Sequence, residues 1–191
     1  MNSELIKLKT KSLHKKLDQH PILKNILSNN VTSEDYLNFL VLHFNALSLL
    51  NKKIQDSCTY FDFPFVSKLP KIKNDIEKVS GFCNVNAKNY LELNVYETNI
   101  EAPSSGLIYV IEGARHGNFY IKKHLKNNLE INDSAFSYLS SENPIEWSEI
   151  LKVLNQSDNQ AFNVVINDAV DVYELYLSLA NKIQSKSSSL K

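Results

Sequence analysis

Glycine is nearly missing from this chain: only four of 191 residues are glycine, and three of them, Gly106, Gly113 and Gly117, fall within twelve positions. Cysteine is almost as scarce. Cys58 and Cys83 stand far apart with no paired motif, which argues against a zinc site or a disulfide framework and for a reducing compartment. No apolar run reaches membrane-spanning length, and the opening MNSELIKLKTKS contains no apolar signal region, so a soluble, cytoplasmic protein without a membrane partner is expected. An excess of charge of either sign is also absent. Lys+Arg and Asp+Glu each number 21, which excludes bulk nucleic-acid binding and confines any electrostatic function to a local patch.

What is present is helical. Apolar residues recur at three- and four-residue steps and alternating runs are few, so an all-α single domain is expected over 1–184, followed by a disordered tail at 185–191. At 43% hydrophobic residues the chain can bury a sizeable core. A first helix is predicted from Ser3 to Asp18, stopped by His20-Pro21, and Pro21 opens a short second helix to about Leu27. Thr32-Ser33-Glu34-Asp35 reads as a capping box for a long helix to about Gln55 with Tyr36, Phe39, Leu40, His43, Leu47, Leu50 and Ile54 on its inner face. Tyr60 to Phe65 reads as a packed connection, Val66 to Val79 as a helix capped near Gly81, and 82–99 as ambiguous between helix and strand. Pro103 suits the first turn of the glycine-containing helix. Short helices at Ser134 to Leu139 and Pro144 to Leu154, the latter anchored in the core by Trp147, precede a final helix from Asp158 to Ile183.

The glycines carry a cost that has to be explained. Inside a helix each is roughly 1 kcal/mol less favourable than alanine. Gly113 and Gly117, four apart, share one helical face, where a bare backbone can approach something flat. A close helix crossing explains them equally well, as does a strand at Leu107 to Ile111 followed by a turn. A second constellation lies in the first helix, where Lys7, Thr10, Lys11 and Asp18 stand on or near the side that carries His14. A carboxylate four residues after a histidine can hold one ring nitrogen and leave the other free for a metal, while two lysines can hold two negative groups. An exposed basic face with an isolated histidine is the plainer alternative.

Taken together, these stretches resemble the haem oxygenases. IKLKTKSLHKKLD is similar to their opening helix, a Leu/Ile-Arg/Lys-x-x-Thr-x-x-x-His run closed by an acidic residue. SSGLIYVIEGARHG is similar to the distal helix of bacterial members, G-x-L-Y-V-L-E-G-S-x-L-G. HPILKNILSNNVTSEDYLNFL, Lys68 to Val79, the W-x-x-x-L-x-x-L pattern at Trp147 to Leu154 and Ala161-Phe162 follow in the same order. The resemblance implies haem sandwiched between the first helix and a kinked glycine-containing distal helix, with His14 as the axial iron ligand. It further implies Asp18 orienting His14, Lys7 and Lys11 at the propionates, Phe162 against the ring, and Gly113 and Gly117 covering the distal face. The activity implied is oxidative cleavage of haem to biliverdin, carbon monoxide and ferrous iron by a monomer. Haem is both substrate and cofactor; dioxygen is consumed and electrons come from an external donor, a ferredoxin or flavin reductase.

The chain departs from that pattern where it matters most. Ala114 follows the first glycine, where animal members carry an aspartate, and His116 and Asn118 replace leucine and a small residue. Arg115 is expected to be solvated. His116 has three possible placements: at the rim, hydrogen-bonded to distal water, or on the iron as a sixth ligand. The last would make the protein a non-catalytic haem carrier or sensor. A non-haem di-iron site built from Glu112, His116, His43 and His124 is a further alternative, weakened by the absence of histidine after His124.

Overall fold

The computed structural model describes residues 2–83, 99–141, 145–156 and 158–189. Its helices are α1 (Asn2–Gln19), α2 (Pro21–Asn25), α3 (Ser33–Tyr60), α4 (Leu69–Cys83), α5 (Ser105–Ala114), α6 (Asn118–Asn128), α7 (Trp147–Gln156) and α8 (Asn159–Ser189). Tight 3₁₀ turns at Arg115–Gly117 and Asp133–Phe136 complete the described architecture. There is no strand among the described residues. The fold is the all-α single domain the periodicity called for.

Local chemistry sets most of the boundaries. His20 is the N-cap of α2, its Nδ1 accepting from the Ile22 amide at 3.3 Å, with Pro21 in the first turn. Thr32 and Asp35 form a reciprocal capping box at the start of α3: the Asp35 amide donates to Thr32 Oγ1 at 3.1 Å and the Thr32 amide to Asp35 Oδ2 at 2.9 Å. This helix runs past Gln55 to Tyr60, and Asp62, at φ 56°, supplies the left-handed residue that ends it. The Phe63 amide then reaches back to the Cys58 carbonyl at 2.8 Å, as in a Schellman closure. An aspartate takes the place where glycine is usual, which is why the sequence pattern placed the helix end too early.

Other boundaries also differ from expectation. Gly81 is not a left-handed cap; no described glycine has positive φ, and α4 continues through it to Cys83. Pro103 lies outside α5, whose N-cap is Ser104, with Oγ accepting from the Leu107 amide at 3.0 Å. The last helix extends beyond Ile183 to Ser189. The ambiguous stretch falls, over 84–98, outside the described residues, as does Pro144.

Helix α3 is the central element. Phe39, Leu40, Val41, Leu42 and His43 are buried consecutively, so α3 is covered on more than the one face its periodicity suggested. It packs against α4, α5 and α8. Helix α8 in turn carries two neighbours that define the rest of the molecule, α1 and α5.

The α5–α8 crossing explains one glycine. A Cβ built on Gly106 would stand 2.1 Å from the Val165 carbonyl oxygen and 3.1 Å from the Ala169 nitrogen, both backbone atoms that cannot rotate away. Close helix packing is therefore the role of Gly106, the glycine outside the Gly113/Gly117 pair. Gly106→Ala should destabilise the protein by about 1–3 kcal/mol, as overpacking does; chemical denaturation with an unchanged m-value is the measurement, and a neutral result would mean that the crossing is looser than described.

Candidate functional site

Helix α1 presents three faces. Ile6 and Thr10 are buried, with Leu13 and Leu17 packed partly beneath them. Thr10 belongs to this inner face, its Oγ1 donating to the Ile6 carbonyl at 2.8 Å, and not to the His14 side where the sequence had grouped it. A second face carries Lys7, Lys11, His14 and Asp18, all exposed; a third carries Leu5, Leu8, Lys9, Lys15 and Lys16. On the second face His14 Nδ1 stands 2.9 Å from Asp18 Oδ2, both side chains being more than half exposed at 59% and 57%. With Nδ1–H donating to the carboxylate, Nε2 keeps its lone pair and has no hydrogen-bond partner among the described residues. At this exposure the pair fixes the tautomer and ring orientation more than it stabilises the fold.

From His14 an aromatic seam crosses the molecule. The His14 ring meets Tyr173 of α8 edge-on, centroids 5.7 Å apart. Burial pushes the Tyr173 hydroxyl up and the neighbours Tyr109 of α5 and Asp18 push it further, although no ring contact joins Tyr173 to Tyr109 among the described residues. Tyr109 packs on Trp147 at 5.3 Å, and Trp147 meets His116 edge-on at 4.9 Å and 84°. The seam thus begins at the α1 histidine and ends at the turn between Gly113 and Gly117. Phe162 does not join it through any ring contact among the described residues; it is buried in the core.

The two remaining glycines of the cluster are not explained by packing. A Cβ on Gly117 would meet nothing closer than Ile121 Cδ1 at 3.9 Å; one on Gly113 would touch the Trp147 ring at 3.4 and 3.8 Å, an ordinary contact. Both have negative φ. Gly81 is equally open, and nothing in the structure explains it. His116 is exposed on the 3₁₀ turn that interrupts α5 and α6.

Beneath that turn lies a buried polar scaffold. Arg115 is 8% exposed and pairs with Glu112, itself 4% exposed, which also takes Lys68 Nζ at 3.0 Å. The expectation that Arg115 is solvated is therefore wrong: its guanidinium turns inward to Glu112 and to the Ser141 carbonyl. Burial, opposed by Glu112, brings the Lys68 ammonium down to about 8. Next along the chain, the Asn118 side chain hydrogen-bonds the Tyr138 hydroxyl, which stands 3.0 Å from His43 Nδ1, with the Tyr176 hydroxyl 3.4 Å away from the same nitrogen. Tyr138 is held from below by fully buried Asp75, whose Oδ2 accepts the Tyr138 amide at 2.7 Å while Oδ1 accepts the Ser137 hydroxyl.

A cavity of about 30 Å³ opens beside this scaffold, lined by Leu47, Ile54, Cys58, Phe65, Lys68 and Glu112 among others. It is large enough for a water or two and lies between α3, the following connection and α5, away from the seam. Among the described residues no group of three or more His, Cys, Asp or Glu side chains is placed to hold a metal ion. Glu112, the starting point of the di-iron alternative, is committed to Lys68 and Arg115. No described helix is long and apolar enough to cross a membrane.

The helical arrangement is the haem oxygenase fold. Neither a protein-family model nor a curated protein matches the chain by sequence. In structure it is similar to haem oxygenase-1 from the cyanobacterium Synechocystis sp. PCC6803, crystallised in complex with haem, with a TM-score of 0.60 and 14% identity over 97% of this chain and 93% of that one.

The buried histidine gives a pH test of the scaffold. Burial lowers the His43 pKa from 6.5 to about 3, with Lys68 adding to the effect. Between those values the unfolded chain binds a proton that the folded chain refuses, so stability rises with pH across this window and is lost as pH falls through it. His43→Gln should flatten the stability profile between pH 6.5 and 4.5 by up to ~1.4 kcal/mol per pH unit, the most one proton supplies. Urea denaturation across that range is the check; an unaltered slope means that His43 is protonated in the folded state.

Proposed function

We propose that this protein is a haem-degrading oxygenase, cleaving haem to biliverdin, carbon monoxide and ferrous iron with dioxygen and electrons from an external donor such as a ferredoxin or flavin reductase. The observation that carries this reading is the His14–Asp18 pair: an imidazole with one nitrogen held at 2.9 Å by a carboxylate and the other free, at the mouth of an aromatic seam that ends at Gly113. The fold likeness to a haem-bound oxygenase supports it.

The residues present fit a haem. His14 Nε2 would hold the iron, with Asp18 fixing the orientation of the imidazole. Lys7 and Lys11, exposed on the same face, meet the two propionates. Being solvated, each contact is worth about 0.2–1 kcal/mol, so the lysines orient more than they bind. Tyr173, Tyr109 and Trp147 provide the apolar surface that supplies affinity, with Phe162 behind them in the core. Gly117, whose bare side faces open space, would let the α5–α6 backbone approach the ligand, while Gly113 presents its bare side to the Trp147 ring. Bound there, haem supplies the iron that activates dioxygen and the ring that is opened. With Ala114 in place of an acid, the protons that this chemistry consumes come through water or through His116, whose exposed ring stands beside Trp147.

The same exposed His116 supports a second reading, a haem carrier or sensor in which it acts as sixth ligand. Hemin titration separates the two. A one-to-one complex with a sharp Soret band and a pH-dependent water-to-hydroxide transition, yielding biliverdin and carbon monoxide under reductant and air, is expected of the oxygenase. A bis-histidine low-spin spectrum without turnover sinks that reading, and His14→Ala with an unchanged axial spectrum sinks the ligand assignment. Gly117→Ala should raise folding stability by up to ~1 kcal/mol, since it removes a helical glycine from open space, while weakening hemin binding measured by titration. A gain in stability with undiminished binding would remove Gly117 from the site.

A further inference from the structure

Trp147, the only tryptophan in the chain, occupies a position that its role in the seam does not exhaust. Its ring stands edge-on to His116 at 4.9 Å and 84°, packs on Tyr109 at 5.3 Å and 34°, and lies at ordinary contact distance, 3.4 Å, from where a Cβ on Gly113 would stand. The His116 ring has no hydrogen-bond partner among the described residues, so both of its nitrogens are available and the Trp147 contact is what restrains it. The backbone beneath is anchored independently, by Arg115 on Glu112 and by Asn118 on Tyr138. Movement of His116 is thereby reduced to rotation of its side chain.

We propose that Trp147 is a positioning residue that holds His116 off the distal face of the site and so keeps it from serving as a second axial nitrogen. The proposal rests on the haem reading given above. An edge-to-face pair is a favoured aromatic geometry, and here it has a braced partner: Tyr109 backs the indole on one side and Gly113 gives it a seat. Trp147 is partly buried at the first residue of α7 and packs against the hydrophobic core, which adds to the restraint on its ring.

The test uses Trp147→Leu, which keeps apolar bulk without an aromatic edge, and Trp147→Phe, which keeps the edge. In the ligand-free protein the His116 ring protons should lose their ring-current shift in NMR spectra of the Leu variant and retain part of it in the Phe variant. In the ferric hemin complex, wild type and Trp147→Phe should keep a water-to-hydroxide transition. Trp147→Leu should convert to a nitrogen-ligated low-spin spectrum, and adding His116→Leu should restore the transition. A Leu variant that keeps the water-to-hydroxide transition overturns the proposal, as does a wild type that is already bis-histidine. If wild type takes up no hemin, the haem reading fails separately and the NMR arm decides the clamp: a His116 signal that stays at its wild-type position in Trp147→Leu disproves it.

Discussion

The contact on which the site depends is one between two backbones. Gly106 brings α5 so close to α8 that a single added carbon would meet the Val165 carbonyl at 2.1 Å. Helix α1 packs on α8 as well, and α8 is therefore the common wall from which both sides of the proposed slot are hung. The spacing between His14 and the glycine turn is set by this arrangement: α8 holds α1 through ordinary side-chain packing and α5 through a contact with no slack. Tyr173, on α8, is the residue of this wall that meets the His14 ring.

If α8 fixes where α5 lies, the buried polar residues fix how it ends. An interior ion trio of Lys68, Glu112 and Arg115 is a poor source of net stability, because desolvation offsets most of its attraction, yet removing one member leaves a buried charge uncompensated at a cost of about 3–5 kcal/mol. Such groups tolerate only one arrangement. Together with the chain of contacts from Asp75 through Tyr138 to Asn118, they hold Arg115–Gly117 in a 3₁₀ turn where a continuous helix would otherwise run from Ser105 to Asn128. The kink is thus built by charge and hydrogen bonding from below, leaving the glycine side free of that task.

How far the sequence disclosed this depended on the range of each interaction. The His14–Asp18 pair, the Thr32–Asp35 box and the Pro21 start are made within four residues, and all three could be read directly. Arg115 was misplaced because helical position alone put it opposite the slot, while its partners include Lys68-bound Glu112 and the carbonyl of Ser141, 26 residues away. Trp147 was legible as apolar but not as the neighbour of His116, and Tyr109 and Tyr173 carried no motif at all. Among the glycines, spacing identified the cluster but could not sort it. Gly106 serves packing, whereas Gly113 and Gly117 are left over by packing and by backbone conformation alike.

The small cavity beside the scaffold bears on the chain's durability. Cys58 lines it, fully enclosed, and burial together with the nearby Glu112 carboxylate pushes its thiol up to about 11. Oxidants attack the thiolate, and at neutral pH almost none of Cys58 is in that form. Under the proposed function the site would work with dioxygen and iron, where a reactive thiol one helix away would be open to attack by peroxide. Here the carboxylate that anchors the kink also keeps the neighbouring sulfur inert, so the same buried charge that shapes the turn lends the molecule resistance to oxidative ageing.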